Sequence, residues 1–181
     1  MEEYMAEIET RLKALEVALE NEKREREFYL KNSKRTSHPL GSKMFAEIAD
    51  DELEHFQRIQ ELYRRLKEKG KWPETIPFKV KDTEVRSLFK ETVRTLEQGQ
   101  TAKSDADDLA AVKVAIEFEA KGEKFYEDLA GMTEDIQEKS FYQLLSSIER
   151  EHLLSLKDTH EYFRDPEGWY RIKERLNVNG G

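Results

Sequence analysis

Residues 119–126, EAKGEKFY, put a glutamate inside an apolar helical stripe, and residues 22–29, EKREREFY, repeat the arrangement 97 positions earlier. Glu119 and Glu22 each fall at the three- and four-residue spacing of neighbouring apolar residues, which marks one face of a helix. A carboxylate at such a position should point at the axis of a helical bundle, where an unpaired charge is costly. The two glutamates therefore require a partner that the apolar stripes do not contain.

The same 97-residue shift relates two halves of the chain over a longer distance. It places these residues of the first half on identical residues of the second: Ala14, Val17, Ala18, Glu20, Phe28, Tyr29, Glu52, Glu54 and His55. The stretch SKRTSHPLGS, residues 33–42, interrupts the first apolar pattern. Apolar periodicity predicts helices over about residues 2–32, from the end of this break to residue 69, and over 104–131 and 134–163. Charged residues make up 39% of the chain, which suits long helices with solvated outer faces. The predicted fold is all-α, with the halves as duplicated helical hairpins.

Two short connections and one long one among four helices predict a four-helix bundle with a single crossover. The predicted parts are a bundle at 1–165, made of hairpins at 1–69 and 105–163 and a crossover at 70–104, and a tail at 166–181. A short helix is expected inside the crossover. Gly70 is expected to end the second helix, and Thr133 to cap the fourth. Trp169 and Tyr170 are expected to dock a short helical tail onto the bundle.

Composition excludes several classes of protein. The formal charge of −8 opposes binding to phosphate backbones and to anionic membrane surfaces. The absence of cysteine excludes disulfides, thiolate nucleophiles and Cys-ligated metals from this chain. Neither a signal-peptide pattern nor an apolar run of membrane-spanning length appears. We expect a cytoplasmic protein with no nucleic-acid partner and no membrane association.

Two Glu-x-x-His pairs, Glu52 with His55 and Glu149 with His152, carry the chemistry. Residues three positions apart share a helical face, so a carboxylate oxygen and an imidazole nitrogen project together. Such a pair can hold one cation, and a second helix with the same pair can hold another. The alternative is a chance repeat in a structural bundle that binds no metal.

Glu22 and Glu119 are expected to bridge the two cations from the other two helices. Burying four unpaired carboxylates together would be prohibitive. Two divalent cations cancel four negative charges, while both histidines bind as neutral donors. Other acids and histidines have simpler interpretations, as solvated or structural residues: Glu20, Glu54, Glu117, Glu151, His38 and His160.

The segments ENEKREREFY, ADDELEHF, EFEAKGEKFY and SSIEREHL resemble the rubrerythrin branch of the ferritin-like superfamily. The resemblance implies a ferritin-like bundle with two iron ions, for which manganese or zinc can substitute. The implied metal ligands, which are also the catalytic residues, are Glu22, Glu52, His55, Glu119, Glu149 and His152. Tyr29 and Tyr126 fall where the family places phenols against the ligands.

The implied function is reduction of hydrogen peroxide or oxygen with oxidation of Fe(II). The chain lacks the Cys-x-x-Cys pairs of a rubredoxin domain, so electrons would come from a separate, rubredoxin-like donor. Rubrerythrins often carry a further glutamate where this chain has Gly122, and Glu123 is either a surface acid or an extra carboxylate near the site. A homodimer, with or without exchanged helices, is implied as well. The alternative function is iron binding or storage without efficient turnover.

Overall fold

The computed structural model describes residues 2–73, 83–97 and 103–171, and this part of the chain is all-α. In chain order the helices are α1 Glu2–Arg35, α2 Pro39–Lys69, α3 Val85–Glu97, α4 Ala106–Met132 and α5 Ile136–Arg164. α1 packs along α2, α4 packs along α5, and α3 contacts both α2 and α5. The predicted ferritin-like four-helix bundle, with a short helix in its crossover, is confirmed.

The break between α1 and α2 is shorter than the sequence indicated. Only residues 36–38 leave the helical conformation. His38 caps α2, because its Nδ1 accepts a hydrogen bond from the backbone N–H of Leu40 at 3.2 Å. Pro39 follows at the first helical position, where its missing N–H costs nothing. The cap and the proline together start α2 at once, so that it returns directly along α1.

The predicted helix caps at Gly70 and Thr133 have different outcomes in the structure. Gly70 ends α2 in the left-handed conformation, with φ of 66°, as predicted. The prediction that Thr133 caps α5 is wrong, because Asp135 takes that position. Its carboxylate accepts the backbone N–H groups of Gln137 at 2.9 Å and Glu138 at 3.0 Å, two of the free donors of the first turn. Thr133 instead ends α4.

Apolar side chains form two buried clusters. The first includes Phe45 and Tyr29, and the second includes Leu62, Phe141 and Tyr126. Each tyrosine directs its hydroxyl to a buried glutamate of the other hairpin. The acidic interior of the bundle is therefore contacted by both clusters.

Residues 166–171 form a helical segment that packs back on the bundle. The ring of Trp169 lies edge-on to that of Phe89 on α3, with centroids 5.4 Å apart. Tyr170 donates a hydrogen bond of 3.3 Å to the carbonyl of Val93. The expected docking of both aromatic residues is confirmed. The rest of the predicted tail lies outside the described residues, and the domain boundaries stay a prediction.

Candidate metal centre

Six buried side chains meet where the four long helices face one another. α1 and α4 each contribute a glutamate, and α2 and α5 each contribute the Glu and His of one Glu-x-x-His pair. They are Glu22, Glu52, His55, Glu119, Glu149 and His152. None is more than 2% exposed. The structure thus brings together all the residues that the sequence predicted as ligands.

The six residues form two overlapping groups, in each of which the potential ligand atoms lie within 4.8 Å of one another. The His55 group is Glu22, Glu52, His55 and Glu149, and the His152 group is Glu52, Glu119, Glu149 and His152. Glu52 and Glu149 are the shared members. This grouping favours Glu52 and Glu149 over Glu22 and Glu119 as the residues shared by two cations, and the expected bridging by Glu22 and Glu119 stays a prediction. Each of those two lies beside the histidine of its own hairpin, whereas the glutamates of α2 and α5 face both groups.

Each imidazole directs Nδ1 into its group. Nδ1 of His55 is 3.3 Å from Oε2 of Glu22 and 3.5 Å from Oε1 of Glu149. Nδ1 of His152 is 3.3 Å from Oε2 of Glu119. Donors bound at about 2.1 Å to one cation are separated by about 3.0 to 3.4 Å for right-angled to tetrahedral geometry. The observed separations are of the size that a shared cation requires.

Two tyrosines connect the hairpins across this cluster. Tyr29 of α1 donates its hydroxyl proton to Oε1 of Glu119 on α4, and Tyr126 of α4 donates to Oε1 of Glu22 on α1. Burial, followed by the charges of these carboxylates, raises the pKa of both phenols well above its usual value. Both tyrosines therefore hold their protons and act as hydrogen-bond donors to the two glutamates.

The carboxylates and imidazoles perturb one another strongly. Burial and the neighbouring glutamate charges raise the pKa of Glu52 and of Glu149. Burial opposes protonation of His55, but the charge of Glu22 outweighs it and raises the pKa of the ring. The same balance, with Glu119 as the main partner, raises the pKa of His152 to about 10. The metal-free cluster retains protons that a cation would displace.

Buried atoms that lack a hydrogen-bond partner show how the cluster fits a metal. Among the described residues they include both oxygens of Glu52, Oε2 of Glu22 and of Glu149, and both ring nitrogens of His55. Buried polar atoms in native proteins are nearly always paired, so a concentration of unpaired ones needs an explanation. Carboxylate oxygens and imidazole nitrogens are ligands for iron, manganese and zinc. The residues fit two divalent cations, whose charge matches the four carboxylates.

Asp51 belongs to the site although the sequence did not single it out. Its Oδ2 lies 3.0 Å from Nε2 of His152, across the bundle from α2 to α5. Burial opposes the charged form, but the hydrogen bond to His152 outweighs it and lowers the pKa of the carboxyl. The acidic run of residues 50–52 contained no sign that Asp51 turns inward in addition to Glu52.

Glu25 is a second unpredicted carboxyl, one helical turn beyond Glu22 on α1. It is only 6% exposed. Burial, then the charges of Glu149 and Glu22, raises its pKa to about 8, even though Arg24 donates a 3.0 Å hydrogen bond to it. The three-residue spacing from Glu22 was the available signal.

Gly122 stands where rubrerythrins often carry a further glutamate, and Glu123 is the next residue. A Cβ added at Gly122 would lie 3.2 Å from Oε2 of Glu149, so this glycine faces the cluster. Glu123 instead forms an ion pair of 3.5 Å with Arg150 and belongs to neither group. Its interpretation as a surface acid is the one that the geometry supports.

The remaining acids and histidines of interest lie outside both groups. They are Glu20, Glu54, Glu117, Glu151, His38 and His160. His38 serves as the cap of α2, and Nδ1 of His160 is 3.8 Å from Glu161 on its own helix. Their interpretation as structural or solvated residues agrees with this placement.

Comparison with known proteins gives one family. The model of the rubrerythrin family matches residues 13–160, from α1 to near the end of α5. The search of curated proteins gave no match. The search of solved structures gave none either. Among the described residues, none of the helices has the length and apolar character needed to cross a membrane.

Proposed function

The chain belongs to the rubrerythrin family, and on that premise we propose that it is a non-haem di-iron protein that reduces hydrogen peroxide. The observation that carries the proposal is the overlap of the two buried groups through Glu52 and Glu149. Shared carboxylates hold two cations next to each other, where both can act on one small molecule. The finding supports a paired centre over two independent metal sites.

In this proposal Glu52 and Glu149 would hold both ions, and the other four residues would complete the binding of each ion. Glu22 and His55 would hold one ion, and Glu119 and His152 would hold the other. Tyr29 and Tyr126 orient the terminal glutamates through their hydroxyl groups. Because no ligand is more than 2% exposed, the reaction would take place away from bulk water.

Bound as Fe(II), the ions supply one electron each, so that hydrogen peroxide and two protons become two waters and both ions become Fe(III). The chain itself fixes the carboxylates and keeps phenol protons beside Glu119 and Glu22. Return to the reduced state requires two more electrons. We assign them to a separate donor such as a rubredoxin-like protein, because this chain has no cysteine with which to hold an iron centre of that kind. The proposed setting is the cytoplasm, and the proposed assembly is a homodimer.

A second candidate is iron storage, in which Fe(II) is bound and oxidised without efficient turnover. The observation that favours it is again the lack of cysteine, since without an efficient donor the oxidised centre would not be reduced quickly. Oxygen would then serve as the oxidant. The two functions differ in which oxidant reacts faster and in whether iron continues to load.

The test begins with anaerobic loading of the metal-free protein with Fe(II), for which we expect two ions per chain. Stopped-flow mixing of the loaded protein with peroxide, and separately with oxygen, then compares the rates of oxidation. A much faster reaction with peroxide supports the peroxidase. Rapid oxygen consumption with continued iron loading supports storage.

The ligand assignment is tested with Glu119→Ala and a matched control on the same helix. Glu117→Ala removes an exposed acid two residues away. Glu119→Ala should abolish binding of the metal pair while circular dichroism shows the same helical content. Glu117→Ala should bind two ions like the wild type. Unchanged iron stoichiometry in Glu119→Ala would contradict the assignment.

A further inference from the structure

The two groups of the metal centre are not equivalent, although the sequence repeat relates their ligands. The 97-residue shift places Glu52 and His55 on Glu149 and His152, but it places Asp51 on Ile148. The carboxylate that contacts His152 therefore has no counterpart in the second half of the repeat.

The histidines differ accordingly at the nitrogen that faces away from the cluster. Nε2 of His152 is 3.0 Å from Oδ2 of Asp51. Thr83, two residues before the start of α3, also hydrogen-bonds to that aspartate. Nε2 of His55 is buried and has no hydrogen-bond partner among residues 2–73, 83–97 and 103–171. Ile148, which is 4% exposed, has only a hydrocarbon side chain at the position equivalent to Asp51.

This difference decides how well each ring is prepared to bind a cation. A neutral imidazole carries one N–H, and a carboxylate at Nε2 fixes the proton there. Nδ1 of His152 is then left with its lone pair directed at Glu119 and the shared glutamates. The ring of His55 has no such restraint on its tautomer. Removing a hydrogen bond to the ring nitrogen that does not bind the metal typically lowers metal affinity about ten- to hundredfold.

We infer that the two positions of the metal centre fill in order, the His152 group first, and that Asp51 is the positioning residue that makes the His152 group the tighter one. The inference rests on the proposed function, because it requires that both groups bind metal. It adds an order of loading and a stable state with one metal bound.

The test is an anaerobic titration of metal-free protein with Co(II), followed by visible absorption and by calorimetry. The wild type should take up two ions in two resolved steps. His55→Gln should keep the tighter step, and His152→Gln should lose it. Asp51→Asn, which retains a weaker acceptor, should weaken the first step about tenfold, and Asp51→Leu should weaken it further until the steps merge.

Asp50→Asn is the matched control, since Asp50 is the exposed neighbour of Asp51 on α2. It should leave both steps unchanged, and circular dichroism should show the same helical content for every variant. Two ions bound with equal affinity by the wild type, or an unaltered first step in Asp51→Asn, would overturn the inference while leaving the proposed function intact. Failure of the wild type to bind two ions would instead overturn the proposed function. If Asp51→Leu does not fold, Asp51→Asn alone decides.

Discussion

Gly122 of α4 is the position where one added methyl group tests the geometry of the metal centre. A Cβ at this residue would lie 3.2 Å from Oε2 and 3.3 Å from Cδ of Glu149, closer than ordinary van der Waals contact. Glu149 belongs to both groups, so its displacement disturbs both bound ions. We expect Gly122→Ala to weaken metal binding about ten- to hundredfold, as changes around metal ligands commonly do.

The same substitution should not weaken the fold itself. Gly122 lies within α4, and the positive-φ glycine among the described residues is Gly70. Alanine favours a helix over glycine by about 0.8 to 1.0 kcal/mol. Metal at about 100 times Kd stabilises the wild type by about 2.7 kcal/mol for each ion bound. A ten- to hundredfold loss of affinity reduces the increment for each ion to between about 1.4 and 0.4 kcal/mol at the same metal concentration.

The assay is urea denaturation of each protein with and without Mn(II), which gives the free energy of unfolding in both states. Gly131→Ala is the control, because a Cβ at Gly131 meets nothing within 4 Å. It should keep the full increment from metal. Gly122→Ala should lose about half of that increment or more, while its metal-free form stays as stable as the wild type or becomes more so. An equal increment in all three proteins would refute the reasoning.

Three further predictions concern single side chains. Tyr126→Phe removes the hydroxyl that donates a hydrogen bond to Glu22 and should lower metal affinity about tenfold in a competition titration. An unchanged affinity would mean that the ring of Tyr126 contributes only core packing. The pKa of Glu25 is raised from 4.5 to about 8 in the folded protein. Between pH 4.5 and 8 the folded metal-free protein therefore binds more protons than the unfolded chain. The free energy of unfolding should consequently fall as pH rises from about 5 to 8. Glu25→Gln should flatten that fall in urea denaturation, and an identical slope in the variant would count against this origin. Trp169→Ala removes the contact with Phe89 and should lower the free energy of unfolding by about 1 to 2 kcal/mol, measured by thermal unfolding. The variant should still bind two metal ions. Loss of metal binding would show that residues 166–171 influence the metal centre.

The residues of the candidate metal centre were predictable from sequence because helical periodicity decides which side chains share a face. Glu22 and Glu119 interrupt apolar stripes, and the repeat supports Glu52 and Glu149 independently of them. Their division into shared and terminal positions was not predictable in the same way. It depends on how the four helices are rotated and how closely each approaches the axis, which periodicity within one helix does not contain.

Asp51 and Glu25 were missed for a related reason. Asp51 precedes Glu52 by one residue, which turns it about 100° around the helix. Whether that direction meets water or α5 is decided by packing between hairpins. Glu25 has the right spacing from Glu22, but it lies in the charged run EKREREF, where acids are common and a solvated face is the simpler interpretation.

The unequal partners of His55 and His152 also bear on how such a chain arises. Two identical hairpins assembled as a symmetric dimer would carry the same residue at the positions of Asp51 and Ile148, because every substitution appears in both copies. Once gene duplication and fusion have joined the hairpins, each half mutates alone. An aspartate can then lie beside His152 while the equivalent position of the other half carries an isoleucine. Covalent linkage of the two hairpins is thus what permits residues 51 and 148 to differ, which two identical copies of one hairpin could not do.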